Sequence, residues 1–307
     1  MALDALITKL GRGRLGRALI KGFAFLQFYA LAPQLIKKAH SSEIFTYNLP
    51  YKSISQETGI TLVNPNDEDA NVNIKAYSDF EVIDQRNLTL HSKISLSDFV
   101  SNLLNAGYSG NLAVNSTLPL IGQETFFFDN SMASVQLNDQ DKEIFFPYIA
   151  SGKRLKTMLK ISNPGSDDAL VNLTLFSNGN PQAQTQVLVP AHSHSQYLVS
   201  DLFGSAGNGY IKAESSSEIS GIEFIINPVS TAGLKAVPSK ELSTMLYFPL
   251  LPELTGLWKI GVCNPSNKST KLYLDVYRED GSGLYHLSRE IQLTQARAGL
   301  SIISFRT

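Results

Sequence analysis

His192 and His194, in the run AHSHSQ, are the residues that most directly suggest chemistry. Two apart on a strand, they would present both imidazoles on one face. There they could share a metal ion, as in a metal-dependent hydrolase. No third ligand follows from the sequence. Two acidic runs, Asp67-Glu68-Asp69 and Asp139-Gln140-Asp141, offer the hard oxygens that calcium prefers. A calcium-stiffened array would repeat such a cluster at each junction. The stretch TAGLKAVPSKELS does not, so these runs read as solvated loops. Tyr148, Tyr197, Tyr210 and Trp258 could stack on sugar rings if they face solvent, as in a carbohydrate-binding module. Cys263 is the only cysteine, which excludes an intramolecular disulfide; it reads as a small half-buried side chain. Asn-x-Ser/Thr matches at Asn87, Asn115, Asn172 and Asn267 are of the kind a Ser/Asn-rich chain produces by chance. There is no Gly-rich phosphate loop, GxSxG, HExxH or CxxC. The expectation is no catalytic residue, cofactor or metal. His192 and His194 are the residual metal candidates, and the four aromatics the residual ligand candidates.

What must position these residues is a repeat. Asn64-Pro65, Asn163-Pro164 and Asn264-Pro265 follow short alternating apolar runs and lie 99 and 101 residues apart. Ile60 and Leu62 precede the first Asn, Leu159 and Ile161 the second, Ile260 and Val262 the third. After it come Val72, Ile74 and Ala76, then Val171, Leu173 and Leu175, then Leu272, Leu274 and Val276. An aromatic closes each run: Tyr77, Phe176, Tyr277. Period-two alternation means strands with one buried face, and a period near one hundred residues is domain-sized. The Asn-Pro segment is expected to be the loop of an antiparallel hairpin. Strands are expected around Leu88–Leu90 and Val187–Val189. Short helical or turn elements should follow at Leu96–Ala106 and Val199–Gly204, capped by Ser97-Asp98 and Ser200-Asp201. A late strand pair should close each unit, ending in Glu124–Phe128 and Glu223–Ile226. The fold class is therefore all-β: tandem Ig-like β-sandwich domains. Their expected bounds are 44–143, 144–243 and a partial third repeat over 244–307. The third unit is expected to lack its closing pair, which leaves three explanations open: a truncated or shortened array, a strand lent by the N-terminal unit, or strand addition by a partner.

The chain has 307 residues, 43% hydrophobic, enough for two or three cores. Its net charge of −1 divides unevenly, because residues 1–40 hold seven Lys or Arg against Asp4 alone. An acidic body lacks the cationic face that a phosphate backbone needs, so nucleic-acid binding is not expected. Residues 22–36, GFAFLQFYALAPQLI, follow Arg12, Arg14, Arg17 and Lys21. Basic then apolar is the order of an export signal. Residues 1–41 are thus expected to be a helical leader. It is either cleaved (after Ala30-Leu31-Ala32 or Ala39-His40-Ser41) or kept as an amphipathic membrane-surface anchor, the only membrane contact foreseen.

The pattern FP…(I/L)x(I/V)xNPxxxxxxVxLxLF…SDLF…GYIKAES…SGIE resembles a tandem β-sandwich repeat of exported bacterial proteins of uncharacterised function. The resemblance covers about residues 44–307. It implies an exported location and no catalytic residues. The reading is a non-catalytic envelope or extracellular array acting in adhesion, structure or assembly, with protein or glycan partners at the cell surface. A carbohydrate-binding protein is the alternative, and a metal-dependent hydrolase the third.

Overall fold

The computed structural model describes residues 44–243 apart from short segments (52–56, 79–80, 106–109, 130, 138, 151, 153, 178–179 and 205–208), and parts of 257–306. The helical leader expected over 1–41 lies outside the described residues. The alternating runs form β1 (Phe45–Tyr51), β2 (Glu57–Val63), β3 (Ala70–Ser78), β4 (Glu81–Leu90), β5 (Ser95–Phe99), a one-turn helix α1 (Val100–Leu103), β6 (Gly110–Ser116), β7 (Ile121–Phe127) and β8 (Met132–Gln136). One antiparallel sheet has the order β1-β6-β3-β4 and the other β5-β2-β7-β8. Between them Leu49, Val72, Ile74, Leu112 and Val114 of the first meet Ile60 and Leu62 of the second. Each such side chain contributes about 1.5–3 kcal/mol by leaving water.

The same plan recurs in β9 (Asp141–Ile149), β10 (Lys156–Asn163), β11 (Ala169–Ser177), β12 (Asn180–Val189), β13 (Ser193–Leu198), α2 (Val199–Phe203), β14 (Gly209–Asn227), β15 (Ser230–Lys235) and β16 (Val237–Pro238). Here β14 does the work of β6 and β7. Its first part pairs with β9 and β11, its second with β10 and β15. Registers repeat as well. Ala70 faces Leu90 as Ala169 faces Val189. Val72 faces Ser116 as Val171 faces Ser215. Glu57 faces Phe127 as Lys156 faces Ile226, and Gln123 faces Gln136 as Ile222 faces Lys235. Every one of these pairs moves by the 99 residues between Asn64 and Asn163. Matching alternation has produced matching ladders.

The third unit supplies β17 (Leu257–Ile260), β18 (Thr270–Leu272), β19 (Val276–Tyr277), β20 (Gly283–Tyr285), β21 (Ile291–Leu293) and β22 (Ile303–Arg306). They pair as β17–β22, β18–β21 and β19–β20. A register shift falls immediately before the closing aromatic in all three units, at Ala76/Tyr77, Leu175/Phe176 and Val276/Tyr277. It marks a local irregularity of the bulge kind that re-aims the side chain that follows.

Three local expectations are corrected. The Asn-Pro segment is not a hairpin, because β2 pairs with β5 and β7 while β3 pairs with β4 and β6. It carries the chain from one sheet to the other. The reason lies in the asparagine, which is fully buried at Asn64 and Asn163. Asn64 Nδ2 donates to Glu68 O (2.8 Å) and Leu90 O (2.9 Å), and its Oδ1 accepts from Asn66 N–H (3.0 Å). Asn163 Nδ2 repeats this on Asp167 O (2.8 Å) and Val189 O (3.0 Å), with Gly165 N–H on its Oδ1 (2.9 Å). One side chain thus ties the end of β2 or β10, the crossing and the end of β4 or β12 together. The Asn264 Oδ1 accepts in the same way from Ser266 N–H and Oγ. Second, the late strands do not pair with each other: β6 and β7 lie in different sheets. Third, the helices start after Phe99 and Leu198 without side-chain caps. Ser97 and Asp98 belong to β5, and Ser200 and Asp201 to the first turn of α2.

Candidate functional site

The two histidines do not share a strand face. His192 sits in a turn with φ 48° and stacks on Tyr77 at 5.0 Å between ring centroids. His194 is on β13, with Nδ1 3.3 Å from Asn111 Oδ1. Both therefore reach from the second unit onto the first. The acidic runs are met by protein groups. Asp67 pairs with Lys93 (2.9 Å), and Asp69 with His91 (2.8 Å) and Ser92 N–H (2.8 Å). Asp141 accepts from Ser239 Oγ (2.9 Å) and Lys240 N–H (3.2 Å). Among the described residues no group of three or more His, Cys, Asp or Glu could hold a metal ion. Of the aromatics, Tyr210 is buried and stacked on Phe176 at 4.9 Å. Tyr148 and Tyr197 are half-buried, and Tyr197 donates to Leu188 O. Trp258 lies on β17, its side chain outside the described residues.

What the histidines point to is the seam between the first two units. Its apolar half joins Phe126, Ala133 and Val135 of β7 and β8 to Met158, Ile222 and Phe224 of β10 and β14. Phe126 meets Phe224 edge-on at 4.9 Å and 90°. A Cβ on Gly233 would come 2.8 Å from Val135, so glycine lets β15 lie this close to β8. The polar half follows from register. Ser162 of β10 stands between His194 of β13 and Ser220 of β14, and Lys160 lies two residues earlier on the same face. Opposite are Asn111 and Glu124 of the first unit. Ser162 Oγ donates to Asn111 Oδ1 at 3.4 Å. Lys160 Nζ sits 5.4 Å from the Phe126 ring centroid.

The centre of this polar half is buried. Lys160 is 0% exposed, Glu124 1% and Asn111 2%. Burial drives the Glu124 carboxyl well above its ordinary range, with the Lys160 charge pulling it partly back. Burial also lowers the Lys160 amine to about 8, against the pull of Glu124. His194 falls to about 3, through burial and then the Lys160 charge. A charge in such a place is costly unless well paired.

Counting from each Asn, Glu223, Tyr210 and Cys263 occupy the places of Glu124, Asn111 and Ser162. They too lie together. Cys263 packs on Phe145 and Tyr210, and burial with the nearby Glu223 pushes its thiol to about 12. That disfavours the thiolate, the reactive form of a cysteine. Glu223 is likewise raised by burial, opposed by the Tyr148 N–H that donates to its Oε1 at 3.1 Å. In sequence, Gly261 stands at the offset of Lys160 and carries no amine. Sequence reasoning passed over Lys160 because a lysine on the outward face of a strand reads as solvated. The available signal was the glutamate at one fixed offset, in GQE and GIE at 122–124 and 221–223, beside apolar residues. No family model, curated protein or solved structure matches this chain.

Proposed function

We propose that the chain is a non-catalytic, exported array of Ig-like β-sandwich domains that presents loops at fixed spacing for adhesion, envelope structure or assembly. The observation that carries this is the repetition of ladder register across units that meet through a buried seam. Such a seam makes a spacer that holds its shape, which suits display more than turnover. The basic-then-apolar residues 1–41 support the exported location through sequence order. Among the described residues no helix is long and apolar enough to cross a membrane.

Fusion of residues 1–43 to a phosphatase active only outside the cytoplasm tests export. Activity on intact cells is the expected result, and an inactive, intracellular fusion ends the exported reading. A glycan array probed with the folded chain decides between protein and sugar partners. The proposed reading expects no saturable sugar binding; binding lost on substitution of Tyr148 or Tyr197 would favour the carbohydrate-binding alternative.

A further inference from the structure

Three side chains at the first seam have complementary reactivity, and their reactive atoms lack partners. Lys160 Nζ, both carboxyl oxygens of Glu124 and Nδ2 of Asn111 are buried without a hydrogen bond. Each such group costs about 1–3 kcal/mol if it stays unpaired, so this concentration calls for a physical reason. Asn111 is divided against itself: Nδ2 is free, while Oδ1 receives Ser162 Oγ and faces His194 Nδ1. Donors on a carboxamide oxygen draw density from Cγ and stabilise an oxyanion forming there. Lys160 stands on the same stretch of the seam as that carbon: it lies two residues from Ser162 on one face of β10, a Cα separation of about 6.5 Å and comparable to the span of a lysine side chain, and Ser162 itself touches Asn111. Phe126 and Phe224 help to close the seam to water.

We propose that Lys160 and Asn111 join through an amide crosslink between the first and second units, with Glu124 as the proton carrier. The neutral Nζ attacks Asn111 Cγ and an Nζ–Cγ bond forms. The carbonyl electron pair moves to Oδ1, where Ser162 Oγ–H receives it. The Glu124 carboxylic acid gives a proton to Nδ2, and its carboxylate takes one from Nζ. The Cγ–Nδ2 bond breaks and ammonia leaves. No oxidant, reductant or second substrate enters. Burial supplies the required protonation states, keeping Glu124 protonated and lowering the cost of an uncharged Lys160. At the corresponding sequence offsets Gly261 and Tyr210 stand where the nucleophile and the electrophile do, and neither can supply that chemistry.

The proposal rests on the seam and not on the export reading; a cytoplasmic location would leave it untouched. The test is the mass of the denatured full chain, after its N-terminus has been sequenced. The expected mass is one ammonia below that of the sequence, with a branched peptide joining Lys160 to Asn111 in the digest. Lys160→Met and Glu124→Ala should each restore the sequence mass and remove the branch. An unmodified chain at the sequence mass overturns the proposal, as does a branch from Lys160 to Glu124 or Asn48. The unsubstituted chain decides the matter even where a variant fails to fold.

Discussion

A single asparagine does in each unit what a hairpin turn does elsewhere, and its removal should be expensive. Asn163→Ala would orphan the carbonyls of Asp167 and Val189 and the N–H of Gly165. A loss of about 1–3 kcal/mol is expected from buried groups left unpaired, read as a drop in urea midpoint with an unchanged slope. A change within experimental error would show that the clamp is not what holds the crossing. Glu223 makes the opposite kind of prediction. Its carboxyl is raised above the unfolded value of 4.5, so the folded state keeps a proton that the unfolded state has lost. Its contribution is complete below pH 4.5 and shrinks as pH rises through the folded value. The loss is limited to about 1.4 kcal/mol per pH unit for one proton. Glu223→Gln removes that slope, so stability between pH 5 and 8 should flatten relative to the unsubstituted chain. An identical slope in both proteins would mean that Glu223 ionises freely in the fold.

At the scale of elements, the crossing between sheets is open to a direct test. If β2 and β3 were hairpin partners, replacing Asn64–Asp69 by a two-residue Asn-Gly turn would shorten the loop harmlessly. Because β2 and β3 lie in different sheets, the replacement should abolish the cooperative unfolding of the first unit, seen as lost β signal in circular dichroism. A stable, native-like product would restore the hairpin. Strand positions were legible because alternation is written in the residues themselves: Val72, Ile74 and Ala76 face the core as their spacing requires. Partners were not legible, since the same alternation serves a strand whose neighbour is adjacent in sequence and one whose neighbour lies sixty residues on. The buried Asn was the missing clue; a polar residue at the end of an apolar run looks like a loop residue until its three bonds are seen. The seam was hidden for a related reason. Lys160, Glu124 and Asn111 each look solvent-facing in their own strand, yet all three are out of water in the fold, where side chains of the two units meet.

At the scale of the molecule the question is whether the first two units unfold together. Each has its own core, one built on Leu62, Val72 and Val114, the other on Ile161, Val171 and Ile211. Neither core includes the seam cluster of Phe126, Met158, Ile222 and Phe224. Phe224→Ala therefore removes the edge-on partner of Phe126 and leaves the interior of the second unit filled. Truncating a fully buried phenylalanine costs about 3–5 kcal/mol, and here most of that cost falls on docking. The units should stay folded while their coupling weakens, since nothing in either core has changed. Calorimetry of the full chain is expected to show the transition shared by the first two units split into two. An amide between Lys160 and Asn111 would hold the units near each other without restoring that coupling. A tether limits separation, whereas cooperative melting needs the packed area itself. Tethering would instead appear after denaturation as faster recovery of the seam than in Lys160→Met. One transition, merely moved to lower temperature, would mean that the cores communicate by another route and that the seam is not what makes the array rigid.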